Sequence, residues 1–357
     1  MLLSTAFVVR RILLVAIAAP MLWLPVRVLA QSPAAPEKVT SQPTTSASQP
    51  AKPDIFDSAA DAKAQIAAAI EKAARENQRV LIMFGGNWCG WCRKLHGLFT
   101  DDKDIAKTLL YEYQLVMVDV GRFDKNVDIT GKYGLDRKKG VPFLVVLDGD
   151  GKTLAGQETG SLEAGDHHDP EKVAAFLDKW KAQPRDAEKT LADALARARG
   201  EGKTVLVHLG APWCPWCRRL DDFLARKDIA EIIKSDVIDL KIDVDRMTGG
   251  KTVAKRLRKT RAGSPPRISP GDASQSLDLK AAEDDSLPWM VLLDDHGKTI
   301  TTSDGPQGNI GYPAEPEEIS HFIAMLKKAG KRISSGQLAQ VEKALKEAAP
   351  KRAKPAP

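Results

Sequence analysis

The sequence predicts an α/β protein of two tandem units, each a mixed β-sheet flanked by helices. Three observations predict it. Gly86-Asn87-Trp88-Cys89-Gly90-Trp91-Cys92 and Ala211-Pro212-Trp213-Cys214-Pro215-Trp216-Cys217 are two versions of one phrase, and they hold all four cysteines of the 357-residue chain. Each phrase follows a helix-patterned segment and a short apolar run, and is followed by a helix and a second apolar run, the alternation of an α/β layer architecture. Each unit then reaches an apolar stretch headed by proline, Val141-Pro142-Phe143-Leu144-Val145-Val146-Leu147 or Leu287-Pro288-Trp289-Met290-Val291-Leu292-Leu293.

In chain order, residues 1–30 carry no acidic side chain and run through an apolar stretch, Ile12 to Leu24, to Val28-Leu29-Ala30. Small residues at the last and third-last positions mark the end of a secretory signal peptide. Pro20, Pro25 and Arg27 interrupt the run, which falls short of the roughly 20 apolar residues of a spanning helix. Residues 31–53, rich in Pro, Ser, Thr, Ala and Gln, bury too little to offset their ordering entropy and read as a flexible linker. The first unit, 54–183, should place a helix over Ala59 to Ala74, strands over Val80 to Phe84 and Leu115 to Val120, and a closing helix over Pro170 to Trp180. Asp148-Gly149-Asp150-Gly151 reads as a hairpin turn, which makes the sheet mixed.

The second unit, 184–330, repeats the plan with a helix over Asp186 to Arg199, strands over Thr204 to Leu209 and Val237 to Val244, and a helix over Glu317 to Lys328. The cysteines of the copies are offset by 125 positions and the prolines by 146, so the second unit carries about 21 extra residues, near 249–286. That stretch is a surface loop or a lip beside the site. Residues 331–357 form a C-terminal helix and basic tail. The formal charge of +6 includes Arg10, Arg11 and Arg27, so removal of the leader leaves +3. Such a balance excludes a nucleic-acid footprint.

Paired cysteines can staple a fold, hold a metal or exchange electrons. A bridge across two residues closes too short a loop to stabilise much. Metal sites built from Cys-x-x-Cys pairs space them about 15 to 20 residues apart, and here more than a hundred residues intervene. No His follows Cys92 or Cys217, which excludes covalent haem attachment. Redox exchange fits best. A strand, a turn and a helix beginning at the first cysteine place Cys89 and Cys214 at helix N-termini, where unpaired N–H groups and the helix dipole favour a thiolate. Pro215 suits the first helical position. Cys92 and Cys217 lie one turn further on the same face, placed to resolve a mixed disulfide formed at the first sulfur.

On these residues, Trp-Cys-Gly-Trp-Cys and Trp-Cys-Pro-Trp-Cys after an apolar strand with Val141-Pro142 or Leu287-Pro288 at the head of a later one, the chain resembles the thioredoxin-like superfamily over nearly all of 54–330. The resemblance implies two tandem thioredoxin-fold domains. It implies that Pro142 and Pro288 are cis, face the cysteines and, with Val141 and Leu287, bind substrate backbone. In thioredoxins a buried acid six positions before the first cysteine and a lysine on the next strand assist proton transfer. Those positions hold Met83 and Met117 in the first unit, and His208 and Lys241 in the second. His208 and Lys241 are therefore the expected proton relay, against the plainer reading of His208 as a core residue.

Trp88, Trp91, Trp213 and Trp216 form an apolar surround for substrate segments, or pack the loop. His96 and Asp221 occupy matching places after the cysteine pairs and read as a solvated helix face. His167-His168-Asp169 reads as a loop before the helix at Pro170 rather than a metal site. The expected activity is exchange of thiols and disulfides with other proteins, leaning to reduction or isomerisation, with no cofactor and with an electron donor outside this chain, the membrane being one place for it. Disulfide donation is the nearest alternative, and a non-enzymatic substrate-holding or metal-relay module the more distant one. The expected location is the periplasm or the exterior, with a membrane tether if the leader is retained.

Overall fold

A computed structural model describes residues 53–259 and 286–349. The expected leader, almost all of the linker, most of the expected insertion and the basic tail lie outside the described residues. The first repeat comprises α1 (Ala62–Glu76), β1 (Arg79–Gly85), α2 (Gly90–Asp101), α3 (Lys103–Glu112), β2 (Tyr113–Asp119), α4 (Val127–Lys132), β3 (Phe143–Leu147), β4 (Thr153–Glu158), β5 (Glu163–Ala164), β6 (His167–His168) and α5 (Pro170–Trp180). The second comprises α6 (Ala187–Glu201), β7 (Thr204–Gly210), α7 (Pro215–Leu224), α8 (Lys227–Ile233), β8 (Val237–Asp243), α9 (Gly250–Lys259), β9 (Trp289–Leu293), β10 (Thr299–Thr302), β11 (Asp304–Gly305), β12 (Gly308–Asn309), α10 (Pro316–Lys327) and α11 (Ser335–Ala348).

The copies begin by the same local devices. Asp61 and Asp186 cap α1 and α6, their carboxylates accepting backbone N–H groups of the first turn. Asn77 and Gly202 end those helices in the left-handed region, with φ of 53° and 61°. The chain then enters the central strand. β1 pairs parallel with β2 and antiparallel with β3, giving a sheet of order β2-β1-β3-β4, and β7 sits likewise in β10-β9-β7-β8. The mixed sheet is as the Asp-Gly turn predicts. A strand covered on both faces reads as a continuous apolar run rather than an alternation, and β1 is buried from Val80 to Gly85.

Side chains of each central strand divide between two cores, one on each face of the sheet. Leu81 and Met83 pack with Leu95, Ile105 and Phe176 of α2, α3 and α5, whereas Val80, Ile82 and Phe84 pack with Ile66 of α1 and Ile129 of α4. In the second repeat Leu206 joins Leu220, Ile229 and Phe322 on the α7, α8 and α10 side, and Val205, Val207 and Leu209 join Leu191 and Val253 on the α6 and α9 side.

Two local expectations change. His167 and His168 form β6, paired with β5 in a small hairpin, and not a plain loop; Asp169 caps α5. The helix expected in 331–357 is no separate appendage: Leu338, Val341, Ala344 and Leu345 of α11 share one core with Phe223, Ile232 and Phe322. Asp236, itself buried, anchors the connection to α11 by accepting the backbone N–H groups of Arg332 at 2.7 Å and Ile333 at 2.8 Å.

The two repeats meet through polar groups. Arg246 donates to the carbonyls of Glu76 at 2.7 Å and Asn77 at 2.9 Å, at the C-terminus of α1, and pairs with Glu112 at 2.8 Å. Arg185 donates to Ala74 O at 3.2 Å, and Lys72 pairs with Asp222 at 3.0 Å. Helix C-termini leave carbonyls unpaired and carry partial negative charge, so a guanidinium is the natural partner there.

Because Leu345 is fully buried, Leu345→Ala should lower the unfolding free energy of the second repeat by about 2–5 kcal/mol. Denaturant unfolding followed in that repeat checks this; an effect near zero would mean that α11 only rests on the surface.

Candidate active site

Each cysteine pair stands where a central strand hands over to a helix. Gly85 ends β1, and a Cβ there would fall 2.5 Å from Phe56 Cζ and 2.7 Å from Cys92 Sγ. At Gly210 the same atom would lie 3.2 Å from Cys217 Cβ, 3.6 Å from Cys217 Sγ and 3.7 Å from Lys241 Cε. Glycine is required at the first position and favoured at the second because the helix packs directly on the strand end. Tight turns follow, with Cys89 N–H donating to Gly86 O at 2.9 Å and Cys214 N–H to Ala211 O at 3.1 Å.

Cys89 and Cys214 are the N-cap residues of α2 and α7. Each sulfur accepts a backbone N–H from its partner cysteine, Cys92 at 3.0 Å and Cys217 at 3.1 Å. Both pairs, Cys89–Cys92 and Cys214–Cys217, are disulfides. Cys92 and Cys217 are 0% and 1% exposed against 4% and 3% for Cys89 and Cys214, so an incoming sulfur meets the first cysteine sooner. A thiolate released there would keep the N–H contact and the favourable end of the helix dipole. Arg93 and Arg218 do little for it: they donate to the carbonyls of Asn87 and Pro212.

The Val141–Pro142 and Leu287–Pro288 peptide bonds are both cis. Val141 O lies 3.4 Å from Cys89 Sγ, so the proline segment borders the first site. Pro142 O accepts the Thr159 hydroxyl at 3.0 Å, and Pro288 O accepts Asn309 Nδ2 at 2.8 Å. A crevice of about 400 Å³ beside the second pair is lined by Trp216, Leu287, Pro288, Ile310, Tyr312 and Glu318.

The tryptophans divide. Trp88, Trp213 and Trp216 are 43%, 54% and 46% exposed, while Trp91 packs against the core of the first repeat. Trp88 Nε1 donates to Gly121 O and Trp213 Nε1 to Asp245 Oδ2 at 2.7 Å, so both exposed indoles are held at their N–H edge. Trp216 stacks on Tyr312 at 5.9 Å, and Trp91 meets His168 edge to face at 5.2 Å. His168, expected in a loop, stands instead on β6 beneath Trp91. It is buried, neither ring nitrogen has a hydrogen-bond partner, and burial lowers its pKa, so the imidazole beside Trp91 is neutral.

His208 and Lys241 are register partners on β7 and β8. Between them stands Asp221 of α7, buried and not on the solvated helix face expected for it. His208 Nδ1 lies 3.3 Å from Asp221 Oδ1 and Nε2 lies 3.1 Å from Asp239 Oδ1, ion-pair distances without hydrogen-bond alignment. Lys241 Nζ pairs with Asp221 Oδ2 at 2.5 Å and with Glu76 of the first repeat. Burial opposes a charge on His208, but the Asp239 and Asp221 carboxylates override it and raise its pKa to about 10. Burial likewise opposes the Lys241 ammonium, and Asp221 and Glu76 carry its pKa above the ordinary value. The first repeat has Met83 and Met117 in register at these places, and His96 where Asp221 stands. Asp221 was legible only in part: four residues beyond Cys217 puts it on the same helix face, but nothing in the local pattern says that this face is buried.

A proton held more tightly in the folded state stabilises the fold below the unfolded pKa. The second repeat should therefore lose stability as pH rises from about 6.5 towards 10. In His208→Asn that slope should flatten. Urea midpoints across this range, with both disulfides kept oxidised, check it, and parallel curves for the two proteins would show that His208 is neutral in the fold.

A family model described as thioredoxin-like matches residues 61–149 and 186–269, one match on each repeat. A curated relative, the protein disulfide-isomerase erp38 of Neurospora crassa, is 25% identical over 185 residues, covering 51% of this chain and 48% of the relative. This chain thus spans about half the length of that relative. Among solved structures, a disulphide isomerase from Xylella fastidiosa Temecula1 is 29% identical over 35% of this chain and 95% of its own, with a TM-score of 0.33. The C-terminal domain of Neisseria meningitidis DsbD in its oxidised form is 18% identical over 34% of this chain and 96% of its own, with a TM-score of 0.26. With a family match on each copy of the strand, cysteine pair and proline plan, both repeats are thioredoxin-like domains, carried in tandem on one chain.

Proposed function

We propose that this protein is an exported thiol-disulfide oxidoreductase that reduces or isomerises disulfides in other proteins. The observation that carries the reading is the placement of each disulfide at a helix N-terminus, its first sulfur holding the N–H of the second cysteine, in a surround of exposed tryptophans. Cys89 and Cys214 attack a substrate disulfide in the reduced protein. Cys92 or Cys217 then loses its proton and displaces the substrate sulfur, which leaves as a thiolate while the Cys-x-x-Cys disulfide closes. Val141-Pro142, Leu287-Pro288 and the tryptophans bind the substrate segment. His208 and Lys241, both charged, hold the Asp221 carboxylate, which takes up the proton in the second site; water or substrate groups serve in the first.

Charge supports the reductive direction at the second site. Asp221, Asp239 and Glu76 are three carboxylates at ion-pair distance from two cations, His208 and Lys241, while Arg246 beside them is paired with Glu112. The excess negative charge disfavours a thiolate at Cys217, and so favours the disulfide over the reduced pair. A reluctantly reduced disulfide is a good electron donor once it has been reduced, which requires a donor outside this chain. The leader over residues 1–30 supports export to the periplasm or beyond.

The reduction potential of each pair, measured by glutathione equilibration, should lie nearer the roughly −270 mV of a reductant than the roughly −120 mV of a strong oxidant. Values near the oxidising end would make the protein a disulfide donor. Cys217→Ser and Cys92→Ser should each trap a mixed disulfide with a partly unfolded, disulfide-containing protein at the remaining cysteine. Absence of adducts in both would favour a substrate-holding module.

A further inference from the structure

Lys241 is shared between the repeats. Its ammonium is held on one side by Asp221, from the helix that begins with the second cysteine pair, and on the other by Glu76, from the last turn of α1 in the first repeat. All three side chains are largely shielded, with 19%, 6% and 12% exposure for Lys241, Asp221 and Glu76. They border a crevice of about 420 Å³ whose walls come from both repeats, Glu76 and Asn77 on one side and His208, Asp221, Lys241 and Arg246 on the other. The position of a Cβ on Gly210, 3.6 Å from Cys217 Sγ and 3.7 Å from Lys241 Cε, marks how closely the lysine stem passes the second sulfur.

We propose that the first repeat completes the redox site of the second, with Glu76 as a positioning residue that holds Lys241 in the inter-repeat crevice and thereby sets the balance between thiol and disulfide at Cys214 and Cys217. The inference rests on the redox reading of the second pair. The groups facing Lys241 are Glu76 from α1, Asp221 from α7, His208 from β7, and Asp239 and Asp243 from β8, with Arg246 beside them but committed to Glu112 and to the α1 carbonyls. Removing the Glu76 carboxylate takes one negative charge from this set and leaves Lys241 held by Asp221 alone, free to swing its charge towards Cys217. Both changes favour the Cys217 thiolate. When a mixed disulfide at Cys214 resolves, the Cys217 thiol gives up its proton to the Asp221 carboxylate of this cluster and its electron pair to Cys214 Sγ, and the substrate sulfur departs with the electrons of the broken bond. The crevice opens the cluster to water, so the proton has an exit.

No equivalent exists in the first repeat, where Met83 and Met117 stand in register and α2 carries His96 in place of Asp221. One molecule therefore contains its own control. The full chain is equilibrated with glutathione at pH 7, and each pair is read separately by alkylation and mass spectrometry of its peptide. Glu76→Gln should shift the second pair by roughly three- to tenfold towards the dithiol and leave the first pair unmoved. Glu112→Gln breaks another partly buried inter-repeat ion pair, with Arg246, without touching Lys241 and should move neither. In a Lys241→Met background the Glu76→Gln shift should shrink, since the lysine is what the carboxylate holds. Equal constants for the second pair in the parent and Glu76→Gln, or a shift of the same size in Glu112→Gln, would overturn the coupling while leaving the redox reading intact. Failure of the second pair to exchange with glutathione at all would overturn both.

Discussion

The close approach of a helix N-terminus to the end of the central strand is the constraint on which each repeat depends. It is permitted by the missing Cβ of Gly85 and Gly210. With the helix seated there, the first cysteine becomes the cap and its sulfur replaces the oxygen that Ser or Asp would offer elsewhere. The second cysteine, one turn in, is carried beneath the first and out of solvent. Redox chemistry and helix capping are thus one interaction, because the N–H groups left unpaired at a helix start are also what steadies a sulfur anion.

The repeats share that geometry and differ in what lies under it. Beneath the first pair the sheet offers Met83 and Met117, two apolar side chains in register. Beneath the second, His208, Asp221 and Lys241 form a buried charged floor. Isolated buried charges are costly, and the cluster persists because each member has an opposite charge at ion-pair distance. The two sites thus share one shape and differ in the electrostatics beneath it.

The inter-repeat contact belongs to the same account. It is made of a helix C-terminus, two arginines and a few carboxylates rather than an apolar seam. Interfaces of this composition fix orientation by directional bonds more than by buried area. Here the orientation brings Lys241 Nζ an acidic partner from each repeat.

How much was legible in the sequence depended on the range of the interaction concerned. The duplicated Trp-Cys-x-Trp-Cys phrase, the apolar runs buried on both faces and the Asp-Gly turn announced two mixed sheets, because periodicity, turn chemistry and helix-start signals act between residues close in the chain. Pro170 after Asp169 marked a helix start to the residue for the same reason. His168, read as part of a loop, Asp221, read on a solvated helix face, and the C-terminal helix, read apart from the second unit, were each misplaced: each depends on which face of an element meets another, and a helix pattern does not say what its polar face will touch. Glu76 was out of reach altogether. Alone it is one more acid at the end of a helix, and it became a partner of Lys241 only when folding brought together residues 165 positions apart. The sequence by itself determined the cysteine pairs, their helices and the strands that carry them, since those follow from local backbone chemistry. Only the tertiary structure decided the charge beneath the second site, since Coulomb's law counts distance through space and not along the chain.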